Sequence, residues 1–159
     1  MASPINMEMM IEKIKSETGC DCEIYPNITN DETIQITADQ LQAVMAVLRE
    51  HFGIYHLSTI TAQERETEPD ALTIELIYQF FYLNQLGDGR GISLMIRLPH
   101  DNPIVETIVS LLPGADFYER EVAEMFGVTF TGREKTPRLL LPDEWEQGPP
   151  FIRSEVSDE

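Results

Sequence analysis

The chain is 159 residues long and 42% hydrophobic, with 28 acidic against 11 basic side chains and a formal net charge of -17. That length suits one domain with its own core plus an extension, and the acidity argues against nucleic acid or an anionic membrane surface as a direct ligand. No apolar run approaches the ~20 residues that cross a bilayer, and residues 1–10 lack the basic start and apolar block of a signal peptide, so the expectation is a cytoplasmic protein that meets a membrane only through partners.

Met7, Met10, Ile11 and Ile14 recur at helical spacing, with Gly19 as the stop. Ile24, Ile34 and Ile36 predict two short strands joined across residues 27–31. Thr37 and Gln40 form a capping box, opening a helix with Leu41, Val44, Met45, Leu48 and Phe52 on one face and Gly53 at its end. From Ile54 the period becomes two. Leu72, Ile74, Leu76, Tyr78, Phe80 and Tyr82 alternate with Thr73, Glu75 and Gln79, which predicts a long strand with one buried face; Ile77 and Phe81 on the other face suggest a covering element there. Gly87, Gly89 and Gly91 make a hairpin turn, and Ile92, Leu94, Ile96 and Leu98 return in alternation with Ser93 and Arg97.

Asn102 and Pro103 then predict a helix through Ile104, Val105, Ile108, Leu111 and Leu112, stopped at Pro113-Gly114. A second helix follows, with Asp116 as N-cap, Glu119 as its capping-box partner and Gly127 as the stop. Tyr118, Val122, Met125 and Phe126 form its apolar side, and Arg120 and Glu124 with Glu121 its ionic side. The expected order is helix, two strands, helix, three strands, two helices and a tail. Hairpin-joined strands make an α+β fold, a mostly antiparallel sheet with helices packed on one face. The compact domain is placed at residues 1–131 and an extended partner-binding tail at 132–159, where Gly132, Pro137, Pro142, Gly148, Pro149 and Pro150 prevent regular structure.

Chemistry of its own finds little support. Cys20 and Cys22 are one residue apart, a spacing that fits neither zinc ribbons nor ferredoxin clusters, and His51, His56 and His100 fall on separate elements. Glu119, Glu121 and Glu124 with Arg120 among them read as a solvated or intersubunit ionic face rather than an acid-base pair. The glycines at 87, 89 and 91 lack the helix and the lysine of a phosphate cradle. Arg120 can hold the helix to the tail or to a partner through forked hydrogen bonds. Trp145, Phe151 and the Leu139-Leu140-Leu141 run are interface candidates, since a proline-interrupted segment has little core of its own.

The run Glu119-Arg120-Glu121-Val122, then Met125-Phe126-Gly127-Val128, Phe130, Gly132 and Arg138-Leu139-Leu140-Leu141-Pro142-Asp143-Glu144-Trp145 resembles the C-type subunit family of respiratory NADH:quinone oxidoreductase (complex I). That family is shared with energy-converting hydrogenases and related deazaflavin-dependent dehydrogenases. Residues 56–62 resemble its first central strand and residues 78–98 the hairpin that follows, so roughly the last two-thirds of the chain is covered. Arg133 stands where the family commonly has histidine, Pro137-Arg138 where it often has two arginines, and Pro150-Phe151-Ile152-Arg153-Ser154 keeps one cation of its basic closing signature.

The resemblance implies a non-catalytic scaffold subunit of the peripheral arm of a membrane-bound respiratory complex, supporting the large subunit at the quinone site. It implies no cofactor in this subunit, with iron-sulfur clusters and a quinone or nickel-iron centre in partner subunits. The partners implied are a hydrogenase-large-subunit-like protein and iron-sulfur subunits, at the inner face of the cell membrane. The motif and interface residues it marks are Glu119, Arg120, Glu121, Phe126, Gly127, Gly132, Arg138, Leu139, Leu140, Pro142, Trp145 and Phe151. The equivalent subunit of an energy-converting nickel-iron hydrogenase or deazaflavin-dependent dehydrogenase is the nearest alternative, and a free-standing acidic adaptor the next.

Overall fold

The computed structural model describes residues 6–25, 32–68, 71–83 and 87–153, so the predicted joint at residues 27–31 lies outside the described residues. Helix α1 (Met7–Thr18) is capped by the Asn6 side chain on the Met9 amide and buries Met7, Met10 and Ile14. Strands β1 (Glu23–Tyr25) and β2 (Glu32–Ile36) follow. The capping box at Thr37 and Gln40 forms with both arms, opening a short 3-10 turn that runs into α2 (Leu41–Phe52). Leu41, Val44, Met45 and Leu48 of α2 are buried as their spacing requires, and Phe52 is half-buried.

Three long strands make the body of the sheet: β3 (His56–Glu68), β4 (Ala71–Leu83) and β5 (Gly89–Pro99). The sheet has five strands in the order β1-β2-β5-β4-β3. Its pairings are antiparallel except for β2 on β5, which is parallel because the chain passes through α2, β3 and β4 before β5 arrives at β2. The fold is therefore α+β with a mixed sheet. Register sets Ile60, Tyr78, Leu94 and Ile34 abreast, and likewise Ala62, Leu76, Ile96 and Ile36. These residues form one continuous apolar face with the buried residues of the helices. The strand that resembles the family's first central strand, β3, stands at the edge of the sheet and not at its centre; α3 (Ala115–Phe126) packs against it.

On the opposite face the expected covering element over Phe81 is not found among the described residues, and Phe81 is exposed. The Phe81 ring lies over Gly89, where an added Cβ would come within 2.5 Å of it, and meets the His56 ring edge-on. Further along β4 on the same face, Glu75 is buried under Gln63, Arg65 and Arg97, which donate to its carboxylate at 2.7, 3.2 and 3.1 Å. Burial pushes the Glu75 carboxyl up, and these donors outweigh burial and hold it below the usual range.

The predicted helix beginning at Pro103 does not form. Residues Ile104–Glu106 are a strand, β6, paired in parallel with β7 (Thr129–Thr131), and a tight turn follows in which Leu111 and Leu112 donate to the Ile108 carbonyl. The β-branched pair Ile104-Val105 favours the extended backbone, and the pairing with β7 is long-range, so it leaves no periodic trace in the local sequence. Val105, Ile108 and Leu112 still reach the core.

Candidate functional site

Helix α3 and the tail meet in a layer of polar contacts. Favourable helix formers such as Ala115, Glu119, Arg120, Ala123, Glu124 and Met125 support the helix, and Gly127 ends it in the left-handed conformation at φ 71°. Gly127 is required a second time, because a Cβ there would come within 2.8 Å of Pro149, where the tail crosses the helix end. The predicted capping box at Asp116 is absent: the helix starts two residues earlier, with Gly114 at its cap and no side-chain bond. Asp116 and Glu119 have other partners.

Glu119 is fully buried, which corrects its expected place on an exposed ionic face. It accepts from the Thr107 hydroxyl at 2.6 Å, the Ile108 amide at 2.8 Å and Arg133 Nη1 at 2.9 Å. Arg133 Nη2 bonds Asp116, so this one guanidinium fixes the start of the tail to two acids of α3. Burial raises the Glu119 carboxyl, against the lowering effect of Thr107, Ile108 and Arg133. The Tyr78 hydroxyl, buried in the core, is raised well above its ordinary value by burial and then by Glu119.

At the next position, Arg120 Nη2 donates to the Pro137 and Arg138 carbonyls at 3.0 and 3.4 Å, and its guanidinium stands 5.8 Å from the Phe117 ring. Of the two sequence options for Arg120, the contact to the tail is therefore made. Glu124 accepts three successive tail amides, those of Leu139, Leu140 and Leu141, the last two at 2.8 and 2.9 Å. Arg138 turns the other way, to the Pro142 and Trp145 carbonyls at 2.9 and 2.8 Å. Trp145 Nε1 closes a further turn on Gly148. The Phe151 amide reaches the Met125 carbonyl at 3.0 Å and its ring packs edge-on against Phe126, with centroids 5.5 Å apart. At the far end the Arg153 amide donates to Glu64 at 3.2 Å, and Glu64 also holds His100 Nε2 at 2.8 Å.

The marked residues thus divide. Glu119 is closed off from any partner, Gly127 serves the helix end, and Arg120 and Arg138 are engaged with tail backbone, as is Glu124, which the motif did not mark. Glu121, Gly132, Arg138 and Pro142 are exposed, while Phe126, Leu139, Leu141 and Trp145 are half-buried. Phe117, Leu140 and Phe151 remain 63%, 56% and 60% exposed, on α3 or on the tail laid over it. Between α3 and residues 133–138 lies a cavity of about 350 Å³ with Ala123, Val128 and Phe130 on its walls.

Three functional contacts were not read from the sequence. Glu119 falls at helical spacing with Ala115, Val122 and Phe126, and Glu64 alternates in phase with Ile60 and Ala62; a carboxylate in step with an apolar face is the signal that marks both. Arg133 carries no such periodic mark. Cys20 and Cys22 are buried free thiols, and Cys20 donates to the Gln40 side chain of the capping box that opens the 3-10 turn before α2. Burial, then Cys22, pushes the Cys20 thiol up to about 12. Among the described residues no group of three or more His, Cys, Asp or Glu is placed to hold a metal ion, and no helix is long and apolar enough to cross a membrane.

Residues 34–157, from β2 through the tail, match the family described as "Respiratory-chain NADH dehydrogenase, 30 Kd subunit". The chain belongs to this family. It is 31% identical over 130 residues to the C/D-type subunit of the NADH-quinone oxidoreductase of Serratia proteamaculans, covering 79% of this chain and 22% of that protein. It is 30% identical over 118 residues to the C-type subunit of the NADH-quinone oxidoreductase of Salinispora tropica, covering 74% of this chain and 47% of the other. The chain thus spans less than half the length of these curated relatives. Among solved structures it shares its fold with a chain of the membrane-bound sulfane sulfur reductase, an archaeal respiratory membrane complex, at TM-score 0.67 and 24% identity, covering 86% of this chain and 77% of that one. It likewise shares the fold of the trypsin-resistant fragment (1-134) of Nqo5, at TM-score 0.65 and 24% identity, covering 83% of this chain and 100% of the fragment. The matched region takes in β3, β4, β5 and the α3-tail layer, so the polar contacts under the tail belong to it.

Proposed function

We propose that this 30 kDa-type subunit is a non-catalytic scaffold in the peripheral arm of a membrane-bound respiratory complex of the NADH:quinone oxidoreductase type, where it supports the large subunit beside the quinone site. The observation that carries this reading is the α3-tail layer. Asp116, Glu119, Arg120, Glu124 and Arg133 are occupied in fixing the tail to the domain, and Phe117, Leu140 and Phe151 are left outward as exposed apolar side chains with no part in the core. Exposed aromatic and aliphatic anchors on a rigid support are what a subunit interface requires. In this reading iron-sulfur clusters and the quinone belong to partner subunits, and the chain reaches the inner face of the membrane through them.

The test is affinity purification of the tagged full chain from its native membranes in mild detergent. Recovery of a hydrogenase-like large subunit with iron-sulfur and membrane subunits is the expected result, and the companions identify the branch: NADH:quinone oxidoreductase, energy-converting hydrogenase or deazaflavin-dependent dehydrogenase. Recovery of the chain alone from the soluble fraction contradicts the proposal and favours a free-standing adaptor.

A further inference from the structure

We infer that the tail loop at Leu139, Leu140 and Leu141 is built by the chain itself before any partner arrives, and that Glu124 is the positioning residue that shapes it. Successive backbone amides pointing the same way form a concavity that binds an anion, and in this molecule the anion is a side chain of the neighbouring helix. The Glu124 carboxylate takes the amides of Leu139, Leu140 and Leu141 together. Both flanks are pinned as well: Arg120 holds the carbonyls of Pro137 and Arg138, and Arg138 holds those of Pro142 and Trp145. Within this frame Leu139 and Leu141 turn partly inward while Leu140 stands out.

Two consequences follow for recognition. Ordering an irregular segment costs roughly 1–2 kcal/mol of backbone entropy per residue, and a loop already ordered in the free chain is spared that cost on binding. All three amides of the loop are used by Glu124, so the loop offers a partner no free backbone donor at these positions and presents it chiefly with the Leu140 side chain. The partner surface that fits it is an apolar socket for Leu140. This second point rests on the scaffold reading; the preformed loop itself does not.

Amide hydrogen exchange on the isolated full chain, wild type against Glu124→Ala, tests the inference. The wild-type amides of residues 139–141 are expected to exchange at least about 100-fold more slowly than unstructured peptide, and those of Glu124→Ala to come within about 10-fold of it, with β4 and β5 amides unchanged. Glu124→Gln, which keeps one carbonyl acceptor and loses the charge, falls between them and serves if the alanine variant disturbs the sheet. Wild-type amides exchanging at the unstructured rate would overturn the preformed loop, and unchanged protection in both variants would overturn the role of Glu124. Because no partner is present in this experiment, its outcome is independent of what the chain recovers from membranes.

Discussion

β4 buries Leu76, Tyr78 and Phe80 completely, whereas the tail leaves Leu140 and Phe151 more than half exposed and is nevertheless laid down along a defined path. The first region is held by apolar burial spread over many side chains, the second by a few carboxylates and guanidiniums aimed at backbone groups. The difference shows how one small domain supplies both a stable body and an outward apolar surface: charged groups fix the tail, so its apolar side chains need not be turned inward. Loss of any one residue should therefore weaken the sheet by degrees but release the tail at a specific joint.

The largest effect should come from the sheet. Phe80→Ala removes a fully buried ring from the middle of β4 and is expected to cost about 3–5 kcal/mol, seen as a lower urea midpoint with all regions unfolding together. Next is the joint between the two regions. Glu119→Ala leaves the Thr107 hydroxyl, the Ile108 amide and Arg133 without their buried acceptor, and is expected to cost about 2–4 kcal/mol by the same measurement.

A milder break separates the regions by pH. Burial works against the Glu124 charge, but the three tail amides and Arg120 outweigh it and hold the carboxyl below the usual range. Its contribution is complete above the ordinary glutamate value and is lost as pH falls through the lowered one. Glu119 has the opposite sign: burial raises it, so its contribution is present below the ordinary value and is lost as pH rises through the raised one. Acid should accordingly loosen the tail while Glu119 gives up nothing. Trp145, the chain's single tryptophan, reports on the tail by fluorescence, and near-ultraviolet circular dichroism of the buried tyrosines reports on the sheet; the tryptophan signal should change first. The smallest effect is expected for Arg153→Ala, since that side chain is 72% exposed and such pairs contribute less than about 1 kcal/mol. It should raise protease sensitivity at the end of the tail with no change in urea midpoint.

Much of the sheet and the three described α-helices were legible because their residues repeat at two or at three to four. Ile74 to Tyr82 in β4 and Leu41 to Leu48 in α2 carry that pattern, and the Thr37-Gln40 box marks its turn by a local rule. β6 is the counterexample. The spacing of Ile104, Val105 and Ile108 fits a helix although the β-branched pair leans to strand, and what decides is pairing with Thr129–Thr131, some 25 residues away in the chain. The same holds for the layer under the tail. Motif resemblance marked Glu119, Arg120 and Arg138 as important, but the assignment of Glu119 to an exposed face followed the habit that carboxylates are solvated. Its true place depended on Thr107, Ile108 and Arg133, which no local spacing joins to it.

The most direct test sets the two regions against each other. Tagged wild-type chain, Leu140→Asp and Phe81→Asp would be used in parallel to capture partners from native membranes, Phe81 being an exposed residue of the sheet face away from the helices. The account predicts that Leu140→Asp recovers at least about 10-fold less of the large subunit than wild type, and that Phe81→Asp recovers as much as wild type. Equal recovery by wild type and Leu140→Asp, with loss in Phe81→Asp, would place the docking surface on the sheet and contradict it.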